Sequence, residues 1–161
     1  MIASPSHRGA RGSTKAIVIL ALIVVIALSA AVQAQPPDLA DKPFADHRIV
    51  LQLSDRDDGK QALVLSVANN LIKAYDPDKI AIEVVAFGPG VRLLFADSAN
   101  RERVDSLIAQ GVRFDICMNT IDTIERESGT KPKLNPKAIP VQVGVGQILS
   151  LVEKGFTLVR P

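Results

Sequence analysis

The stretch that decides the fold is Ile80-Ala81-Ile82-Glu83-Val84-Val85-Ala86-Phe87, which is followed at once by Gly88-Pro89-Gly90. Every residue of the run except Glu83 is apolar, and the run stops at residues that form turns. A short apolar run of this kind is typical of a central strand in a parallel sheet, which is buried on both faces. Parallel strands need long connections, usually helices, so the stretch predicts an α/β protein.

Strand and helix signals alternate on both sides of this run. Further strands are predicted at 49–53, 112–117, 139–143 and 156–159, and helices at 60–75, 100–110, 119–127 and 146–154, with a short helical turn at 91–95. This regular order predicts a three-layer α/β/α fold with a mainly parallel five-stranded sheet.

The first helix shows apolar residues at helical spacing, which predicts the face that it buries. We expect Leu63, Val67 and Leu71 to point inward, and Val64, Ala68 and Tyr75 to extend the same face. Asn70 is expected on or beside this face, where it could hydrogen-bond a neighbouring loop.

The first 34 residues are predicted to be a secretory signal peptide. Residues 1–15 are basic and carry no acidic residue, an apolar run extends from Ala16 to Val32, and small residues lead to Ala34. The alternative is a retained membrane anchor, because residues 16–34 come close to the length of a bilayer span. Residues 35–47 are expected to form a polar tether and 48–161 the domain, in the periplasm, with membrane contact only through an uncleaved signal.

Composition narrows the classes of function. The chain has 161 residues, with 19 Lys and Arg against 17 Asp and Glu, which gives a net charge of +2. Arg8, Arg11 and Lys15 lie in the predicted signal, so the remaining chain is slightly acidic and lacks the basic surface of a nucleic-acid-binding protein. One Cys and, after the signal, one His (His47) argue against a disulfide or a metal centre, and no cofactor is expected.

Cys117 ends the third predicted strand, directly before a helix. The helix N-terminus favours the thiolate, the form that attacks sulfur, whereas an inert buried Cys is an equally good interpretation. No His is placed nearby by the sequence, which argues against a Cys-His hydrolase.

Two other loops are expected at the same end of the sheet. Gly88-Pro89-Gly90 could let backbone approach a ligand, or could simply be a turn, since it lacks the spacing of a phosphate loop. Asp55, Asp57 and Asp58 could bind a cation, but capping of the next helix is the favoured interpretation, with Asp58 the expected cap.

The ordered motifs resemble the DsrE/DsrF-like family, in its exported single-domain branch. The resemblance rests on Val84–Val91 with Leu94, on Gly111–Thr120, on the first helix, and on the ending Gly155–Pro161. It implies homo-oligomers, often trimers or hexamers, and a Cys that passes persulfide sulfur to or from partner proteins. Carried over, Cys117 would bear sulfur, and Asn119 and Thr120 would shape the loop around it.

The leading hypothesis from the sequence is therefore a periplasmic sulfur-handling protein, with Cys117 as the reactive residue. Gly88, Pro89, Gly90, Asn119, Thr120, Asp55 and Asn70 are the candidate ligand-binding residues. The alternative is a non-catalytic oligomeric module that binds a small ligand or a protein and in which Cys117 is structural. A nucleotide-binding domain is a third possibility, which the Gly-Pro-Gly turn supports only weakly.

Overall fold

The computed structural model describes Lys42 and residues 44–161, and the predicted signal segment 1–34 lies outside that part of the chain. Strands and helices alternate through it in the order β1 (His47–Leu53), α1 (Asp58–Tyr75), β2 (Ile80–Ala86), a 3₁₀ helix (Gly88–Leu94), α2 (Arg101–Ala109), β3 (Arg113–Cys117), α3 (Met118–Ser128), β4 (Ile139–Val141), α4 (Gly144–Glu153) and β5 (Thr157–Val159). No helix among the described residues is long and apolar enough to span a membrane.

The five strands form one sheet in the order β4-β3-β2-β1-β5, and every neighbouring pair is parallel. The predicted α/β fold and five-stranded sheet are thereby confirmed. Strand β2, the apolar run of the sequence, lies in the centre; it pairs with β1 along its whole length and with β3 from Glu83 to Ala86.

Two apolar cores lie on the two faces of the sheet, because successive residues of a strand point to opposite sides. Leu51 and Val84 face the larger core, which includes side chains of α1, α2 and α3. Val50 and Val85 face the smaller core, which contains Ile148 and Leu151 of α4 together with Phe156. Helix α4 therefore covers the face opposite to the other three helices.

Helix α1 is rotated relative to the prediction. Its buried residues are Gln61, Val64, Leu65, Ala68 and Ile72, whereas Leu63 and Tyr75 are each 44% exposed. The prediction that those two point inward was wrong. The Gln61 side chain turns inward and donates a hydrogen bond to the Arg56 carbonyl (3.2 Å), which an apolar pattern does not reveal.

The cap of helix α1 is Asp57, so the prediction of Asp58 was wrong by one residue. The Asp57 carboxylate accepts a hydrogen bond from the backbone N–H of Lys60 at 2.9 Å. Asp58 lies in the first helical turn, where its negative charge interacts favourably with the positive end of the helix dipole.

The Gly-Pro-Gly turn needs both of its glycines. Gly88 has φ +51°, a left-handed backbone conformation that residues with a side chain rarely adopt. Gly90 lies so close to strand β1 that a Cβ atom would overlap the backbone carbonyl of Leu53. The turn is thereby held against the end of β1, and the 3₁₀ helix begins from it.

Candidate functional site

The end of strand β3 lies at a point where the chain leaves neighbouring strands toward opposite faces. After β3 it enters α3, whose Ile121 belongs to the larger core, and after β4 it enters α4, on the other face. In open α/β sheets, ligands bind in the crevice that such a divergence opens at the carboxyl ends of the strands. The topology therefore places the candidate site between β3 and β4.

Cys117 occupies this crevice. It is the last residue of β3 and the cap residue of α3, and its exposed fraction is only 5%. The backbone N–H of Gly144, the first residue of α4, donates a hydrogen bond to Cys117 Sγ (N···S 3.3 Å). The N-termini of two helices thus meet at one sulfur atom, and the positive ends of both helix dipoles favour its thiolate.

Hydrogen bonds also favour the thiolate of Cys117. Burial raises the pKa of this thiol, but the hydroxyl of Thr120 and the backbone N–H groups of Gly144, Thr120 and Asn119 lower it by more. The resulting pKa lies below the ordinary value for cysteine, which is the property of reactive rather than inert thiols.

Close packing requires a glycine at position 144. A Cβ atom there would lie 2.9 Å from Phe87 Cβ and 3.1 Å from Cys117 Cβ. The absence of a side chain lets the first turn of α4 come close enough for its N–H to reach the sulfur.

Asn119 and Gln142 connect the two sides of the crevice. The backbone N–H of Asn119 donates to the Gln142 carbonyl (3.2 Å), and Gln142 Nε2 donates to Asn119 Oδ1 (2.6 Å). The same Gln142 carbonyl lies 3.8 Å from Cys117 Sγ. This pair of hydrogen bonds joins two exposed residues beside the thiol.

Thr120 links the Gly-Pro-Gly turn to the thiol. Its Oγ1 accepts a hydrogen bond from the backbone N–H of Gly88 (3.0 Å), and its hydroxyl is one of the groups that favour the Cys117 thiolate. The N–H of Gly90 donates to Phe87 within the turn, and Pro89 has none. No N–H of the three residues is left for a phosphate, which removes the main support for nucleotide binding.

Among the described residues, neither Asp55 nor Asn70 hydrogen-bonds the Cys117 sulfur. Asp55 is exposed in the loop after β1. Asn70 is also exposed, which corrects its predicted place near the inward face of α1, and it lines a groove of about 540 Å³ between α1 and α2. That groove shares no residue with the loops at the carboxyl ends of the strands. No group of three or more potential metal ligands occurs within the described residues.

Sequence reasoning missed a buried polar cluster on the face that α4 covers. Glu83 of β2 and Asp115 of β3 are 1% and 0% exposed. Arg113 Nε lies 3.4 Å from Glu83 Oε2, and Gln147 of α4 donates to Glu83 Oε1 (2.7 Å). The signal was present in the sequence, because Glu83 and Asp115 are single acidic residues within apolar strands.

This cluster anchors helix α4 near the thiol. Asp115 and Cys117 are two residues apart on β3 and therefore point to the same face of the sheet. Gln147 lies one turn after Gly144, so its hydrogen bond to Glu83 fixes the helix turn whose first N–H reaches Sγ. The cluster thus supports the geometry around Cys117.

Comparison with known proteins shows that the chain is similar to a solved structure. No family model matches the chain, and no curated protein matches it. A solved structure of a protein of unknown function, MTH1491 from Methanobacterium thermoautotrophicum, is 34% identical with a TM-score of 0.65, and the match covers 72% of this chain and 100% of that one. The chain belongs to the same family as MTH1491. The structure of MTH1491 supports the fold of the present chain, but MTH1491 is itself described as a protein of unknown function and therefore suggests no activity.

Proposed function

We propose that the chain is a periplasmic sulfur-handling protein of the DsrE/DsrF type, in which Cys117 carries or accepts sulfane sulfur as a persulfide. The observation that carries the proposal is the hydrogen bond from the first N–H of α4 to a thiol that itself caps α3. A sulfur atom at the meeting point of two helix N-termini is stabilised as an anion, both when it attacks and when it leaves.

The proposed reaction moves one sulfur atom without net oxidation. The Cys117 thiolate attacks the outer sulfur of a donor persulfide, R–S–SH, and a new S–S bond forms as the old one breaks. The electron pair of the broken bond leaves with the donor as R–S⁻, and the outer sulfur remains on Cys117 as Cys–S–SH. An acceptor thiolate removes it by the same step, with the Cys117 thiolate as the leaving group.

The rival function is a binding module in which Cys117 only fills space. The observation that favours it is the 5% exposure of Cys117, whose Cβ also has little free space beside Gly144. The two functions differ in one property, since a structural thiol takes up no sulfur.

Because the chain contains one Cys, any sulfur adduct is assigned to Cys117 without further mapping. We expect the full chain, treated with inorganic polysulfide, to gain the mass of one sulfur atom in intact mass spectra and to lose it on treatment with dithiothreitol. The Cys117→Ser variant is the control and should stay unmodified. An unmodified wild-type chain, under conditions that load an established persulfide carrier, would show the proposal to be wrong.

The homo-oligomer implied by the resemblance stays a prediction. Helix α4 carries apolar side chains that the described part of the chain leaves exposed: Val145 and Leu149 are each 59% exposed and Val152 is 42% exposed. They are spaced as one stripe along the helix, which is the surface where a second copy is expected.

A further inference from the structure

The buried polar cluster beneath α4 is not explained by folding stability. Every buried side-chain polar atom of the described residues that lacks a hydrogen-bond partner belongs to it: one oxygen of Glu83, two nitrogens of Arg113 and both carboxyl oxygens of Asp115. Arg113 Nε lies 3.4 Å from Glu83 Oε2 without forming a hydrogen bond. Replacing a buried ion pair by apolar side chains is often neutral or stabilising, so a cluster with this many unpaired atoms points to a role other than stability.

Helix α4 begins beside this cluster, and few side chains hold its first turn against the sheet. Gly144 is buried but has no side chain, and residues 145 and 146 are exposed. Gln147 is the first residue of α4 whose side chain hydrogen-bonds the sheet, where it donates to Glu83 Oε1 at 2.7 Å. The apolar contacts of the helix with the smaller core begin only with Ile148.

The same turn supplies the N–H that reaches the thiol. The backbone N–H of Gly144 donates to Cys117 Sγ (N···S 3.3 Å), and this bond is one of those that lower the pKa of the thiol. Gln147 follows three residues later, so the two contacts lie at the two ends of one helical turn. Because hydrogen bonds weaken steeply with distance and angle, a loss of the Gln147 bond would weaken the bond to Sγ as the turn moves.

We propose that Gln147 is a positioning residue for the sulfur chemistry of Cys117, and that the buried Glu83 is retained as the acceptor that orients it. Gln147 acts through the Gly144 N–H and not on the sulfur itself. This inference rests on the proposed function, because it assigns a control of the same thiol. It separates two roles within α4, since the reactivity of Cys117 and the stability of the chain should respond to different residues of the helix.

The Gln147→Leu variant tests the proposal, because leucine has a similar volume and cannot donate a hydrogen bond. The readouts on the full chain are the pH midpoint of Cys117 alkylation by iodoacetamide and the hydrogen exchange of the Gly144 amide. We expect the midpoint to rise by about half a pH unit or more and the amide to exchange about tenfold faster. Glu83→Gln keeps an oxygen acceptor for Gln147 and should not raise the midpoint.

Leu151→Ala is the matched control on the same helix. Leu151 is 1% exposed in the smaller core, and its truncation leaves a cavity one turn beyond Gln147. This variant should lower the Tm at least as much as Gln147→Leu does and should leave the alkylation midpoint unchanged. An unmoved midpoint in Gln147→Leu would overturn the inference, and so would an equal shift in Leu151→Ala.

The outcomes also distinguish this inference from the proposed function. A wild-type chain with a lowered midpoint that Gln147→Leu leaves unmoved would overturn the positioning role alone. If Gln147→Leu shifts the midpoint in a chain that takes up no sulfur from polysulfide, the proposed function is wrong and the positioning of the thiol by Gln147 is supported.

Discussion

As the pH rises from 5.5 to 9, the stability of the Asp115→Asn variant relative to the wild-type chain is expected to increase. Asp115 is completely buried, and neither of its carboxyl oxygens has a hydrogen-bond partner among the described residues. Burial is the largest cause that raises the pKa of Asp115, and Glu83 raises it as well; against the lowering by Arg113 and Gln147, the net pKa is about 9. Asp115 is therefore protonated in the folded chain at neutral pH.

The direction of the pH effect follows from the two states of Asp115. The unfolded chain releases the proton near the ordinary pKa of 3.8, whereas the folded chain keeps it to about 9. Stability therefore falls as the pH rises from about 4 to 9 and becomes constant above that range. Asparagine cannot ionise, and its amide can donate a hydrogen bond to the neighbouring Glu83. The Asp115→Asn variant therefore does not show this loss of folding stability.

Thermal unfolding followed by circular dichroism measures this difference. We expect the Tm of Asp115→Asn minus that of the wild-type chain to grow by more than about 5 °C between pH 5.5 and 9. Asp97→Asn, at an exposed position, is the control and should show a constant offset. A constant offset for Asp115→Asn as well would mean that Asp115 is already ionised in the folded chain.

The second large effect is expected at Gly90, where an added methyl group should destabilise the chain by about 3 kcal/mol. The new Cβ would meet the backbone carbonyl of Leu53, with the carbonyl carbon at 2.8 Å. Backbone of a central strand cannot move aside as a flexible side chain could. The Gly-Pro-Gly turn would then have to leave the end of β1.

Gly146 offers a matched control with the opposite sign. It lies within helix α4, and a Cβ there would meet only the side chain of Val143, at 3.4 Å. Gly146→Ala should stabilise the chain by up to about 1 kcal/mol, because alanine favours helix more than glycine does. Urea unfolding measures both free energies. A Gly90→Ala variant within about 0.5 kcal/mol of wild type would contradict the close approach.

The sequence predicted the secondary structure best where a clear apolar pattern ends directly at residues that form a turn. Strand β2 was predicted within one residue, because an apolar run ends at Gly88-Pro89-Gly90. Cys117 was found for the same reason, since its position at a strand end before a helix is a local property. The helix face of α1 was harder, because a buried Gln61 has no apolar signature.

The backbone group of α4 that favours the Cys117 thiolate was not predictable in the same way. The sequence predicted α4 from residue 146, whereas the helix begins at Gly144, since glycine is a poor helix former and hides a helix start. This donor, the N–H of Gly144, lies 27 residues from Cys117 and carries no side-chain signal. Only the parallel neighbour relation of β3 and β4 brings it to the sulfur.

The most direct test of an activated Cys117 is the pH dependence of alkylation of the sole thiol by iodoacetamide. The expected midpoint lies below the ordinary pKa of cysteine, and Thr120→Val should move it upward and slow the reaction at pH 7 by about fivefold, the effect of one hydrogen bond. Thr123→Val, one turn along α3, should leave both unchanged. A wild-type midpoint at or above the ordinary value, with no effect of Thr120→Val, would contradict the proposed role of Cys117.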